Sequence, residues 1–422
     1  MIDKHILSNH ARVVTAPVPG TDSVTVLVYF GVGSRYETKK INGVSHFLEH
    51  LFFKGTVRRP TSFDLTKELD SVGAEYNAFT SKDHTAYYVK TSADQVELAF
   101  DILSDMLLNS KFDPDEVNRE RGVVVEELNM YEDNPMIHID TVLENCIFGN
   151  QPLGWDIGGP RQVIKLVPRQ AILDYKDTFY QAQNMVIAVT GKVSVKKARQ
   201  LAKKYFNLML SRPVPKAKKV KLHQKTARAL LHYKKTEQST MAVGFPAFDF
   251  NDPRLPAVSL LGIILGGNMS SRLFVEVREK HGLAYSVKAG VSGYADTGVF
   301  EIIAGVDSKR IKQAIEVILA ELQKVKRYGV TAKELTMAKR YFKGQVTLAL
   351  EDSAKVADWY GKQLILKNKL DTPQARIKKM ERVTGPQVRK VSQLIFKQAK
   401  LNLAIIGPYK DRKSFERLLK LK

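Results

Sequence analysis

Apolar and polar positions along this chain recur at two periods, and the changes of period mark out its elements. Alternating or continuous apolar runs predict strands at Ser23–Phe30, Asn77–Thr80, Thr85–Lys90 and Asn184–Gly191, after a hairpin-like opening over residues 5–14. Apolar residues three and four apart predict helices between them. One spans Thr61–Val72, one starts from a Ser92 cap with Val96, Ala99, Phe100, Leu103 and Leu107 among its apolar positions, and one runs from a Ser194 cap to Phe206. Asp113-Pro114-Asp115-Glu116 is a helix start, with an N-cap residue, Pro at the first helical position and Glu three residues after the cap. That helix runs to about Asp133, and Glu120 and Glu127, seven apart, share one of its faces.

The second half echoes the first. Ser239–Phe245 stands in the place of Val24–Phe30, Val299–Gly305 in that of the Tyr87 strand, and Asn402–Gly407 in that of Asn184–Gly191. Gly282-Leu283-Ala284-Tyr285 matches Gly73-Ala74-Glu75-Tyr76, and Ser308–Leu322 matches the Val96 helix. Between the halves, Ser211–Lys219 is Pro- and Lys-rich and without periodicity, as a linker would be. The pattern predicts an α+β fold of two similar domains, each an antiparallel β-sheet packed with helices: residues 1–211, a linker at 212–224, and residues 225–422.

One short helix changes the picture. From Val44 to Phe52, apolar residues at 44, 47, 48, 51 and 52 form a core-facing stripe, and His46, Glu49, His50 and Phe53 fall on the other face. Asn42 is placed to cap this helix and Gly55 to end it. Two imidazoles one turn apart, about 5–6 Å at Cβ, with a carboxylate beside them suit a divalent metal. Such a trio on its own also fits a solvated polar face. The interleaved Phe47, Leu48, Leu51, Phe52 and Phe53 leave little of this helix open to water, so its polar groups need partners. The corresponding helix of the second half, Leu255–Leu265, holds no His.

Composition narrows the class. With 44% hydrophobic residues, no apolar run of membrane-spanning length and a single cysteine, Cys146, a soluble cytoplasmic protein without internal disulfides is expected. The N-terminus shows neither a secretory signal nor an Arg-rich transit segment. The formal charge of +22 is uneven: residues 1–210 sum to −2 and the rest to +24. A basic half suits nucleic acid, but no binding motif accompanies it and the charges spread along helical faces, so no nucleic-acid partner and no membrane is expected.

His46-Phe47-Leu48-Glu49-His50, preceded by Gly33-Ser34-Arg35-Tyr36-Glu37, resembles the insulinase-like (pitrilysin) family of inverted-motif zinc metallopeptidases. The size is similar to the two-domain branch that includes mitochondrial processing peptidase and its bacterial relatives. The resemblance runs over essentially the whole chain. It implies one zinc per chain, held by His46, His50 and a Glu about 77 positions beyond His50, where Glu127 stands. Its neighbour Glu126 is the rival; Glu127 is preferred because only that register places Glu120 at the family's acidic position seven before the ligand. Glu120 would orient a ligand by a hydrogen bond, and Glu49 would be the general base of peptide hydrolysis.

The resemblance further implies that Asn77, Ala78, Phe79 and Thr80 form an edge strand pairing with the substrate backbone, and that Phe53 lines the pocket beside the cleavage site. Arg278 and Tyr285 match the family's substrate-gripping pair, with the Tyr hydroxyl steadying the oxyanion. Gly266–Leu273 stands where the processing-peptidase partner subunit has its glycine-rich segment, but it is shorter and less glycine-rich, so presequence-like specificity is not implied. The expected partners are a peptide or unfolded polypeptide and a second copy of the chain, or a paralogue, in a dimer that completes the site. The alternative is a catalytically idle structural or binding subunit.

Overall fold

A computed structural model of the chain describes residues 2–421. The structure contains two compact units, each built on one sheet. Six strands form the first: β1 (Asp3–Ile6), β2 (Arg12–Pro17), β3 (Ser23–Phe30), β4 (Glu75–Thr80), β5 (Thr85–Ser92) and β6 (Met185–Gly191), in the order β1-β2-β6-β3-β5-β4. The second comprises β7 (Arg228–Tyr233), β8 (Gln238–Ala247), β9 (Ala284–Gly293), β10 (Gly298–Asp307) and β11 (Asn402–Gly407), in the order β7-β11-β8-β10-β9. From β2 onward the two orders are the same. Neighbours run antiparallel except β2 with β6 and β7 with β11, which are parallel. The repeat read from the sequence is therefore a repeat of topology, and each expected antiparallel sheet carries one parallel pair.

The units are not contiguous along the chain. The first takes Met1–Leu128, Asp156–Lys218 and Val346–Asp371; the second takes Asn129–Trp155, Lys219–Gln345 and Thr372–Lys422. The expected division at 212–224 follows the chain; the compact units do not. The reason lies in the strands. Along β3, Val24, Val26, Val28 and Phe30 face the main helical core, while Leu27 and Tyr29 face the opposite side. A strand buried on both faces needs a cover on each. The second cover of the first sheet is the Ser353–Lys367 helix, through Val356, Ala357, Tyr360 and Leu364. In the second unit the Pro135–Phe148 helix plays the same part, through Ile139, Val142, Leu143 and Ile147 against Ala242, Val299, Ala404 and Ile406.

Pro135 opens this covering helix, with Asn134 as its N-cap accepting from the Met136 N–H at 3.1 Å. Cys146 is buried in it, and burial raises its thiol to about 11. Among the described residues no helix is long and apolar enough to cross a membrane.

Candidate metal centre

The helix bearing the His pair, α1, spans Val44–Leu51. Val44, Phe47, Leu48 and Leu51 join the main core of the first unit, which fixes the helix's rotation and turns His46, Glu49 and His50 to its other face. The expected caps are different. The N-cap position is Gly43, and the Asn42 side chain donates to Glu37 and to the Asp156 carbonyl instead of accepting from the helix. The helix ends at Leu51, before Gly55. Phe53 consequently lies beyond α1, half-buried and packed against the core.

A second helix, Pro114–Asp133, brings the carboxylates. Val117, Val124, Val125 and Leu128 anchor it to the core, and Glu120 and Glu127 face α1 two turns apart. His46 Nε2 and His50 Nε2 lie 3.4 Å apart. Glu127 Oε2 is 3.0 Å from His50 Nε2, and Glu127 Oε1 is 3.7 Å from His46 Nε2. Each residue of this trio offers one ligand atom, all within 4.8 Å of one another, and no other such group occurs among the described residues. Glu126 is exposed, whereas Glu127 is half-buried against the imidazoles.

The donor set fits a divalent cation. His50 Nδ1 is bonded to Glu120 Oε1 at 2.9 Å, which directs Nε2 at the trio, and Lys54 Nζ holds the other Glu120 oxygen at 2.6 Å. Burial lowers the proton affinity of His50, but Glu120 and Glu127 outweigh it and push the imidazole up to about 9. The cluster thus favours a positive charge beside its carboxylates. Burial works against ionisation of Glu120, yet its bonds to His50 and Lys54 hold its carboxyl below the usual range. Lys54 was not foreseen. Its spacing of four from His50 and eight from His46 was the available signal.

Glu49 stands beside the trio. Burial raises its carboxyl above the usual range, against the opposing pull of Thr80 and the two imidazoles. Thr80 Oγ1 donates to Glu49 Oε2 at 2.5 Å. Thr80 is the last residue of β4, which pairs with β5 on one side and forms the open edge of the sheet. Asn77 and Phe79 are partly exposed on β4, with the Phe79 ring edge-on to that of Tyr29 at 6.0 Å, and Ala78 and Thr80 are half-buried. Sequence reasoning placed Thr80 on this strand but missed its bond to Glu49, which no local spacing encodes.

In the second unit, Arg278 and Tyr285 come together: the guanidinium carbon lies 5.3 Å from the Tyr285 ring centre and 4.7 Å from that of Phe274. Tyr285 is the second residue of β9, the edge strand equivalent to β4, and is 78% exposed. The Leu255–Gly266 helix, in the place of α1, is almost wholly buried and carries no metal-binding side chain.

Comparison with known proteins agrees with this division. Residues 12–161 match the family model described as Insulinase (Peptidase family M16), and residues 167–342 match Peptidase M16 inactive domain. A protein of Bacillus subtilis named as an uncharacterized zinc protease is 34% identical over 408 residues, covering 97% of this chain and 98% of its own. One of Streptomyces coelicolor with the same description is 33% identical over 409 residues, covering 96% and 89%. The crystal structure of a protease from Helicobacter pylori superposes with a TM-score of 0.90 at 25% identity, covering 97% of this chain and 99% of that one. The fold and the His-His-Glu cluster put the chain in the class of two-unit proteins whose relatives are named zinc proteases. The chain belongs to the insulinase-like peptidase family M16.

Proposed function

We propose that the chain is a zinc-dependent endopeptidase acting on extended or unfolded peptide. The observation that carries this reading is the convergence of His46, His50 and Glu127 beside Glu49, which is itself bonded to the end of an open edge strand. His46 Nε2, His50 Nε2 and a Glu127 oxygen would hold the metal. Bound there, zinc supplies a Lewis acid that polarises the scissile carbonyl and acidifies water.

The remaining steps belong to this chain's own groups. The outer N–H and C=O groups of β4 add the substrate as a further strand, so affinity comes from the main chain and many sequences are accepted. Glu49, more basic than an ordinary carboxylate through burial and aimed by Thr80, takes the proton of the attacking water and returns it to the leaving nitrogen. Glu120 and Lys54 hold His50 in the tautomer that offers Nε2. Arg278 and Tyr285 are substrate-gripping residues in the same reading, with the exposed phenol as a hydrogen-bond donor.

The test pairs metal analysis with peptide cleavage. The purified chain should bind one zinc and lose cleavage to a chelator. Glu49→Gln should keep the zinc while kcat falls by about a hundredfold or more. His50→Ala and Glu127→Ala should lose zinc, and Glu126→Ala should retain it. Full turnover by Glu49→Gln would remove Glu49 as the base.

A further inference from the structure

The helix that carries His46, Glu49 and His50 has no cap of its own. Its N-cap residue, Gly43, has no side chain, and no acidic residue occupies the first turn. The first N–H groups of any helix lack partners within it. Here they are met from a distance. Glu37, in the Gly33–Glu37 segment before the helix, turns its carboxylate onto the helix start. Oε2 accepts the Gly43 N–H at 2.7 Å and Oε1 accepts the Ser45 N–H at 2.7 Å, while Asn42 Nδ2 donates to Oε2 at 2.9 Å. Glu37 is only 3% exposed, so both of its oxygens are committed in a dry setting.

The surroundings allow this start little freedom. Gly43 sits at φ +100°, and a Cβ there would lie 2.3 Å from the Gly158 carbonyl oxygen. Ser45 Oγ is bonded to Tyr175 Oη at 2.7 Å, and Tyr175 donates to the Gly33 carbonyl at 3.2 Å. The helix has only eight residues, and a helix that short has little stability of its own. What holds its first turn therefore sets where its side chains stand. His46 follows Ser45 directly, and His50 lies one turn on. Metal ligation tolerates errors of only about 0.2 Å in ligand distance.

We propose that Glu37 is a positioning residue of the metal centre. Its carboxylate clamps the Gly43 and Ser45 N–H groups and fixes the first turn of α1, so that His46 and His50 meet one ion and Glu49 keeps its aim. The proposal rests on the zinc-peptidase reading above. It differs from simple helix capping, which would raise stability and leave the metal's surroundings unchanged.

Glu37→Gln keeps the size of the side chain and replaces one accepting oxygen with an NH2 group that faces a donor. Two readouts are independent of turnover: zinc affinity by competition with a chromophoric chelator, and the visible absorption of the Co(II)-substituted protein. The folded variant should bind zinc about tenfold or more weakly and show shifted Co(II) bands. A folded Glu37→Gln with wild-type affinity and an unchanged Co(II) spectrum overturns the positioning role, even if its Tm falls. Should Glu37→Gln not fold, Glu37→Asp takes its place in both readouts: weaker zinc binding with shifted Co(II) bands supports the clamp, and wild-type values in both overturn it. Absence of zinc binding by the wild-type chain overturns the peptidase reading itself, whereas zinc binding equal in wild type and Glu37→Gln overturns only the role of Glu37.

Discussion

His84 shows how far the setting of one residue can depart from what its type suggests. It sits in the turn between β4 and β5, 4% exposed, with its ring centre 5.4 Å from that of Tyr29 and 6.1 Å from that of Phe79. Its Nδ1 is buried without a hydrogen-bond partner. Burial, helped by the charge of Lys362, lowers the imidazole to about 3. In the unfolded chain it titrates near its ordinary value of about 6.5. The unfolded state therefore binds more protons between these values, so this contribution to stability is complete above about pH 6.5 and is lost as the pH falls toward 3. At pH 5 the loss is roughly 2 kcal/mol. Urea unfolding at pH 7 and pH 5 should show His84→Phe losing less stability than the wild type by about that amount; equal losses would mean that His84 is not buried in its neutral form. At this scale His46, Glu49 and His50 were legible because helical spacing is a local rule. Glu127 was separated from Glu126 by resemblance, and the packing of the Pro114–Asp133 helix accounts for the choice by turning Glu127 alone toward the imidazoles. Asn42 was misread as the cap because a cap is a competition: a carboxylate accepts N–H groups more strongly than an amide oxygen, and Glu37 arrives from outside any local window.

Among the elements, strands and helices were read to within a few residues where amphipathic period and capping residues agree. Ser194 caps its helix as expected, accepting from the Lys197 N–H, and Thr61 with Asp64 forms a capping box that was not foreseen, whereas Ser92 makes no side-chain cap bond and Gln95 stands at the N-cap of the Val96–Asn109 helix. The Ser353–Lys367 helix was not read from the sequence at all, and Gly361 within it shows why its fit matters. A Cβ at Gly361 would lie 2.7 Å from two carbons of the Tyr29 ring. Tyr29 is fully buried and tied by its hydroxyl to Asp358 on the same helix, so the ring cannot step aside. Intrinsic propensity would make Gly361→Ala stabilising by about 1 kcal/mol. Overpacking against a fixed ring costs about 1–3 kcal/mol, and should win. Chemical denaturation is expected to show a net destabilisation of Gly361→Ala; a gain in stability would mean that the helix can shift off the sheet at little cost.

At the scale of the whole molecule, the interleaving of the two units makes a prediction about fragments. A chain cut at residue 218 holds all six strands of the first sheet but lacks Val346–Asp371. Leu27, Tyr29, Val186 and Ala188 would then face water on one side of the sheet. Such an apolar face favours aggregation. Residues 1–218 expressed alone should be insoluble or bind a hydrophobic dye, and joining residues 346–371 through a flexible linker should improve solubility. A well-folded, soluble 1–218 fragment would show that the covering helix is dispensable. By itself the sequence determined the strands other than β7 and β9, about half of the helices, the doubled topology and the His-x-x-Glu-His face, because each follows from periods and spacings within a few turns of chain. Only the tertiary structure decided which helix covers which sheet, that Glu37 and not Asn42 caps α1, and that Thr80 and Lys54 reach Glu49 and Glu120. Those outcomes depend on which distant groups meet in a dry interior, where every exposed apolar face and every unpaired polar atom must find a partner, and a one-dimensional pattern carries no record of that meeting.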